Sequence, residues 1–239
     1  VVDCLEKKYP HVDGLNLTWG VRSGLVKRRG QAAELDGVPL PPQPSVEAQV
    51  ADLADDVAYY AHDVDDGVTS GLLDLDQLES VQFWRLASQR ARESGGDPGA
   101  EYFTSYVVRC LIDMLVGDIV RATGERIRQR APRRPADVTA NPEPLVCFSD
   151  GFRAGSSEFR TFLFNKLYWH ADVLGVNHRA ERSVRGLFEF FRMHPESLGT
   201  GARGRIAEYG LERTVADYIA GMTDLYAIQL YRRHLGKEF

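Results

Sequence analysis

The 239-residue chain is short of several things that would steer a first reading. Its three cysteines, Cys4, Cys110 and Cys147, lie far apart and never in CxxC spacing. That excludes a zinc knuckle or a disulfide framework and makes a reducing compartment, the cytoplasm, the expected setting. No apolar run nears the roughly 18–20 residues that a membrane span needs, and no basic-then-apolar leader opens the chain, so no membrane partner is expected. Basic excess is missing too: 29 Lys and Arg face 34 Asp and Glu, a net charge of -5, which excludes a general affinity for nucleic acid while leaving room for a local phosphate pocket. The six histidines show neither HxxxH nor HExxH spacing, so the chain holds no complete metal site of its own. An initiator methionine is also absent. The opening Val1-Val2-Asp3-Cys4-Leu5-Glu6 reads as the middle of a helix, and an upstream portion of the natural protein is expected to precede it.

Apolar residues make up 44% of the chain, enough for a substantial core, and they recur at spacings of three and four with few alternating runs. The pattern predicts an all-α protein. Helices are expected over 1–9, 16–29 with Gly30 as its stop, 45–67 after a Ser45 cap, 76–93, 101–130, 157–173, 177–193 and 211–235. Prolines 39, 41, 42 and 44 make 37–44 a loop, and Gly95-Gly96-Asp97-Pro98-Gly99 is a breaker. Pro132–Pro144 reads as a surface loop, mobile or marking a boundary. Short connections elsewhere favour one compact multi-helix bundle over separate domains.

The helix from Ser45 to Gly67 carries the chemistry. At about 100° per residue Asp55, Tyr59, His62 and Asp66 share a face, with Asp63 beside them. A solvated face would mix in lysines, yet Glu47–Gly67 contains no Lys or Arg. A divalent cation or donors from a neighbouring segment must balance those carboxylates. Asp55, flanked by the small Ala54, Ala58 and Ala61, is the candidate metal ligand. Its bland alternative is a solvated surface acid, and one carboxylate alone binds Mg²⁺ or Mn²⁺ weakly. Tyr59 suits stacking on a sugar or base, or else an ordinary core position, and Asp63 can accept from a sugar hydroxyl. Lys27, with Arg28 and Arg29, could meet phosphates or simply complement a helix end. Arg109 stands as a lone cation beside the apolar stripe of the 101–130 helix, where a buried guanidinium would answer an anion. His62-Asp63 looks like a metal-binding His-Asp pair, but adjacent helical residues point about 100° apart, and His62 lacks the second histidine upstream that would complete a site. Asp55-Asp56 followed by Val-Ala-Tyr is not the DDxxD of isoprenoid synthases, and no second aspartate-rich helix follows.

Three runs in order, Gly14-Leu-Asn-Leu-Thr-Trp-Gly-Val-Arg-Ser-Gly-Leu-Val-Lys27, Ser45–Gly67 and Arg213-Thr-Val-Ala-Asp-Tyr-Ile-Ala-Gly-Met-Thr-Asp-Leu-Tyr-Ala227, resemble the deoxyguanosine triphosphate triphosphohydrolase-like proteins of the HD superfamily. The resemblance spans the chain and implies the C-terminal part of a single all-α HD-type phosphohydrolase domain, residues 1–239. It implies metal-dependent hydrolysis of a dNTP to deoxynucleoside and tripolyphosphate, Mg²⁺ or Mn²⁺ as cofactor, and a homo-oligomer. Asp55, by the Asp-xxx-Tyr-xxx-Asp pattern, takes the place of the family's final metal ligand. Its histidine and His-Asp ligands would lie upstream, so this chain alone is expected to be inactive. Tyr59 would pack on the deoxyribose and crowd a 2′-hydroxyl, and Asp63 would meet the 3′-hydroxyl. Gly20 departs from the acidic residue usual there. The rival reading is a non-catalytic helical nucleotide-binding or oligomerisation module.

Overall fold

A computed structural model describes residues 1–6, 8–27 and 34–236. Helices dominate, with one two-stranded ribbon among the described residues. The chain packs as two compact units, Val1–Tyr168 and Trp169–Phe239. The sequence pattern pointed to a single bundle, with 132–144 as the candidate boundary; the division falls instead between Tyr168 and Trp169.

In the first unit, α1 (Trp19–Leu25) is capped by Thr18 and followed by the ribbon β1 (Glu34–Leu35) and β2 (Val38–Pro39). Asp36 and Gly37 turn the ribbon with positive φ at both positions, the conformation an Asp-Gly pair adopts most readily in a two-residue hairpin. The reading of 37–44 as pure loop missed this pairing. Ser45 Oγ accepts from the Ala48 amide and starts α2 (Val46–Thr69), whose inner stripe is Gln49, Val57, Tyr60, Ala61, Val64 and Gly67. Then come α3 (Leu75–Leu78), α4 (Gln82–Glu93), α5 (Phe103–Arg130), α6 (Pro135–Thr139) and α7 (Asp150–Leu163), which continues into a π-helical turn, Phe164–Tyr168. The 28-residue α5 is central and packs on both α4 and α2. Its Leu111 and Leu115, with Phe83 of α4 and Phe159 of α7, are wholly buried. Each such side chain contributes about 1.5–3 kcal/mol over an exposed one.

The second unit holds α8 (Ala171–Met193), a 3₁₀ turn (Pro195–Ser197), α9 (Thr200–Tyr209), α10 (Leu211–Ala220) and α11 (Asp224–Leu235). Its own core gathers Leu187, Phe191, Leu198, Ala202, Val215, Leu230 and Tyr231.

Several expected elements differ. Residues 1–6 form turns rather than the expected helix, with Tyr9 bridging Val12. The expected 16–29 helix keeps only Trp19–Leu25: Asn16 is left-handed, and Arg28, Arg29 and Gly30 lie outside the described residues. The expected 76–93 helix breaks at 79–81, and 211–235 breaks at Gly221–Thr223, where Thr223 caps α11. The 132–144 segment contains α6 and is tied down: the Gln43 amide N–H donates to the Thr139 carbonyl, its side chain donates to the Pro142 carbonyl, and Arg126 donates to the Pro144 carbonyl. Among the described residues no helix is long and apolar enough to cross a membrane.

Candidate functional site

One edge of α2 is built onto α7. Asp56, Tyr60 and Asp63, at spacings of four and three, form a single ridge, and each has a partner across it. The Tyr60 ring meets Phe159 edge-on at 5.4 Å and its hydroxyl shares a 2.8 Å hydrogen bond with Ser156 Oγ. Arg160 reaches Asp56 at 3.4 Å, and the Tyr168 hydroxyl donates to the Asp63 carboxylate. Gly155 lets α7 approach the core: a Cβ there would stand 2.5 Å from the Phe83 ring. The buried Asp118 of α5 fixes the start of α7 by accepting from the Ser149 amide and hydroxyl, both at 2.8 Å.

From the other side, α1 abuts α2 through Gly24, where a Cβ would lie 2.9 Å from that of Ala48. Arg22, paired with Asp3 and Asp36, and the Trp19 indole N–H, donating to the Leu35 carbonyl, hold α1 to its surroundings. The chain leaves α1 at Val26, and Lys27 Nζ then lies 3.0 Å from Asp52 and 3.4 Å from Asp55.

These elements enclose a cleft of about 430 Å³ lined by Lys27, Asp55, Asp56, Tyr59, Tyr60, Arg160, Leu163, Phe164 and Tyr168. A neighbouring cleft of about 490 Å³ shares Lys27, Asp56 and Arg160. Along α2 the charged group at Asp55 and Asp56 and the Asp63–Tyr168 pair are about two turns, ~11 Å, apart. Tyr59, 58% exposed, lies between them. The cleft therefore offers cations and carboxylates toward one end and aromatic surface toward the other, a combination suited to a ligand with an anionic head and a flat or sugar-like body.

The electrostatics follow the packing. Burial raises the Asp56 carboxyl, with Arg160 opposing that shift. Burial likewise raises Asp63, helped by Asp66 and opposed by His62. Hydrogen bonding to Asp52, then the charge of Asp52 and bonding to Asp55, raise the Lys27 ammonium, which holds its proton firmly.

Of the residues singled out in the sequence, Asp55, Tyr59 and Lys27 line this cleft, and Asp63 touches it through Tyr168. His62 and Asp66 do not line it, because the ridge facing α7 runs through Asp56 and Tyr60 rather than along the Asp55–His62 line. Arg109 stands apart, exposed in a separate cleft with Ser94, Gly95, Gly96, Tyr102, Ser105 and Tyr106. It is neither buried nor near Asp55. The cation missed in the sequence is Arg160, with Asp56 and Tyr168 beside it. Arg160 to Phe164 and Tyr168 is a repeat of four, a visible signal, but only the packing of α7 onto Asp56 and Tyr60 tells which face that repeat uses.

Among the described residues no three His, Cys, Asp or Glu side chains converge where they could hold an ion. Asp55 supplies one carboxylate, already facing Lys27, and one carboxylate does not retain a hard divalent cation. The residues of this chain do not by themselves fit a resident metal.

A helical cleft that pairs cations with aromatic surface fits the phosphohydrolase class, and residues 146–233 match a phosphohydrolase-associated domain. The particular relatives are deoxyguanosinetriphosphate triphosphohydrolase-like proteins. That of Nitrosomonas europaea is 38% identical over 239 residues, covering 98% of this chain and 63% of that protein. The Ralstonia nicotianae protein is 40% identical, with 98% and 61% covered, and that of Geobacter sulfurreducens is 35% identical, with 98% and 62% covered. Homology to this family thus extends over nearly the whole chain, which spans about three-fifths of the length of these relatives.

Proposed function

We propose that the cleft between α2 and α7 is this chain's share of a dNTP site in a protein that hydrolyses a deoxynucleoside triphosphate with water to deoxynucleoside and tripolyphosphate. The observation that carries the reading is the meeting of Lys27 and Arg160 with Tyr59 and Tyr168 in one cleft, in a chain homologous to proteins named for that reaction.

Lys27 and Arg160 take the phosphate oxygens. The guanidinium can do so with two parallel N–H donors, the ammonium as a point charge. Both are engaged by aspartates, so binding exchanges carboxylate partners for phosphate partners. Tyr59 packs its ring on the deoxyribose, where an added 2′-hydroxyl would clash. Asp63 accepts from the 3′-hydroxyl, with the Tyr168 hydroxyl holding its carboxylate in place. Mg²⁺ or Mn²⁺ is the proposed cofactor of the whole protein, Asp55 being the one ligand this chain contributes and the others coming from outside it. The cytoplasm, where dNTPs are used, is the proposed location.

The test takes the full-length protein with each dNTP and Mg²⁺ or Mn²⁺ and resolves phosphate, diphosphate and tripolyphosphate, with Asp55→Ala and Arg160→Ala alongside. Tripolyphosphate from the parent and none from either folded variant is expected. Nucleotide binding with no product, from folded and metal-supplied protein, would replace the enzyme by a nucleotide-binding module.

A further inference from the structure

The nucleotide cleft does not end at Lys27 and Arg160. Both side chains, with Asp56, also line the second cleft of about 490 Å³, which Tyr59, Phe164 and Tyr168 do not line. The second cleft thus opens from the charged group and not from the aromatic surface. Beyond that group its character changes. Among its described lining residues the charges cancel, Lys27 and Arg160 against Asp52 and Asp56, and no other lining residue is ionisable. Pro42, Pro44, Pro144 and Val146 give it an apolar wall.

That wall is fixed in place. The buried Gln49 ties its two segments together: its Nε2 donates to the Pro44 carbonyl at 2.9 Å, and its Oε1 accepts from the Leu145 and Val146 amides at 2.7 and 3.0 Å. Gln43 joins the same two segments through the Thr139 and Pro142 carbonyls. A buried amide satisfied at both its ends holds its neighbours in one arrangement, so the prolines form a preset surface. A site built to stop at a triphosphate would ring its last phosphate with donors. Here the space past Lys27 and Arg160 is neutral, proline-lined and of the size that small ligands occupy.

We propose, resting on the reading of the first cleft as a dNTP site, that the second cleft takes an uncharged, ring-sized group carried on the terminal phosphate, so that dNTPs substituted at the γ-phosphate are substrates as well. The bonds made and broken stay the same. The water oxygen joins the α-phosphorus, the bond from that phosphorus to the 5′-oxygen breaks, a proton from the water passes to the 5′-oxygen, and the substituent departs still attached to the tripolyphosphate. A fourth phosphate fits worse than a neutral ring. Among the described residues the cleft offers it no cation beyond Lys27 and Arg160, and its charge would stand against Asp52 and Asp56.

The experiment gives the full-length protein, with Mg²⁺ or Mn²⁺, three forms of the dNTP it hydrolyses fastest: the nucleotide itself, its γ-(4-azidoanilide) kept in the dark, and the deoxynucleoside tetraphosphate. The anilide should yield deoxynucleoside and anilide-bearing tripolyphosphate with kcat/KM at about one-tenth of the dNTP value or better, and the tetraphosphate should fall below the anilide. Under illumination the azide should label residues 42–44 or 144–146, read by mass spectrometry of the digest, and excess unsubstituted dNTP should suppress the label. Product from the dNTP with less than about one-tenth of that kcat/KM from the anilide, or a label confined to other residues, would overturn this inference alone. A tetraphosphate turned over as well as the anilide would overturn it too, since the cleft would then accept added charge as readily as a neutral ring. No product from any dNTP would overturn the reading beneath it, and this inference with it.

Discussion

Gly155→Ala is a change that helix propensity alone would predict to stabilise the protein, by about 1 kcal/mol in a helix interior. The structure predicts the reverse. The new methyl would sit 2.5 Å from Phe83 Cε1 and 2.9 Å from Cζ, and Phe83 is wholly buried among Phe152, Phe159 and the α5 leucines. The ring cannot swing out to solvent, so either it leaves its rotamer or α7 shifts outward, an overpacking cost of about 1–3 kcal/mol. The net expectation is a loss of about 1 kcal/mol. Gly151→Ala, one turn earlier on the same helix, meets nothing within 4 Å and should gain a few tenths of a kcal/mol to about 1 kcal/mol, less the nearer it lies to the helix end. Urea unfolding of the two variants would then separate by about 2 kcal/mol, with unchanged slopes showing that compactness is not what moved. Adding Phe83→Leu should make Gly155→Ala less costly than it is alone, since the atoms in conflict are gone. If Gly155→Ala stabilises as much as Gly151→Ala, the close approach of α7 to Phe83 is not real, and the placement of Arg160 and Tyr168 falls with it.

Asp118→Ala should cost about 2–4 kcal/mol, because it strands the Ser149 amide and hydroxyl beneath α5, while Asp118→Asn should recover part; urea titration reads both. Gln49→Ala removes the acceptor of the Leu145 and Val146 amides and the donor to the Pro44 carbonyl, so it should destabilise by about 2–3 kcal/mol and speed hydrogen exchange at those two amides. Asp63→Asn bears on pH. Burial lifts the folded carboxyl above its unfolded value, so the folded state holds the extra proton, stability falls as pH rises from the ordinary aspartate range near ~3.9, and the loss is complete above the folded pKa. The asparagine variant, still able to accept from Tyr168, should therefore melt higher than the parent at pH 7 and show no advantage near pH 3.

How much of this was legible depends on whether a feature is local. The acidic helix was expected over 45–67 and runs Val46–Thr69, because its signals, a proline run and then Ser45, lie within a few residues of its start. The long helix expected over 101–130 runs Phe103–Arg130 for the same reason: a glycine breaker before it and a proline after it. The missed α9 begins Thr200-Gly201-Ala202-Arg203-Gly204, a composition that argues against helix and is overridden by the burial of Ala202 against the second core. The π-helical turn at Phe164–Tyr168 carries no sequence signal of its own, and its last residue, Tyr168, bonds Asp63, 105 residues earlier, a pairing that no local pattern shows. Arg109 shows the opposite error. Spacing alone makes the apolar residues of α5 a single buried stripe with the cation at its edge; the helix is apolar on two faces, and Arg109 lies on the outer, exposed one.

The charge balance of the cleft sets a condition on any triphosphate that enters it. Asp52, Asp55 and Asp56 stand within little more than one turn of α2, and among the described residues Lys27 and Arg160 face them, at 3.0–3.4 Å. These five side chains together are short of positive charge by one, and Lys27, 64% exposed, is held by aspartates that solvent screens. A bound triphosphate adds about four negative charges and must draw the same two cations away from those carboxylates. On the proposed reading, Lys27 and Arg160 would orient the phosphates more than they neutralise them, and net binding would need positive charge beyond these two side chains. A divalent cation held in the full-length protein by Asp55 together with ligands from outside this chain would relieve the carboxylates and the phosphates together, since it would draw oxygen from both. The acidic helix is thus consistent with anion binding when the excess carboxylate serves to hold a cation. Without that cation the same residues would repel the nucleotide, and affinity for a dNTP measured with and without Mg²⁺ or Mn²⁺ in the full-length protein should differ by far more than screening by added salt can account for.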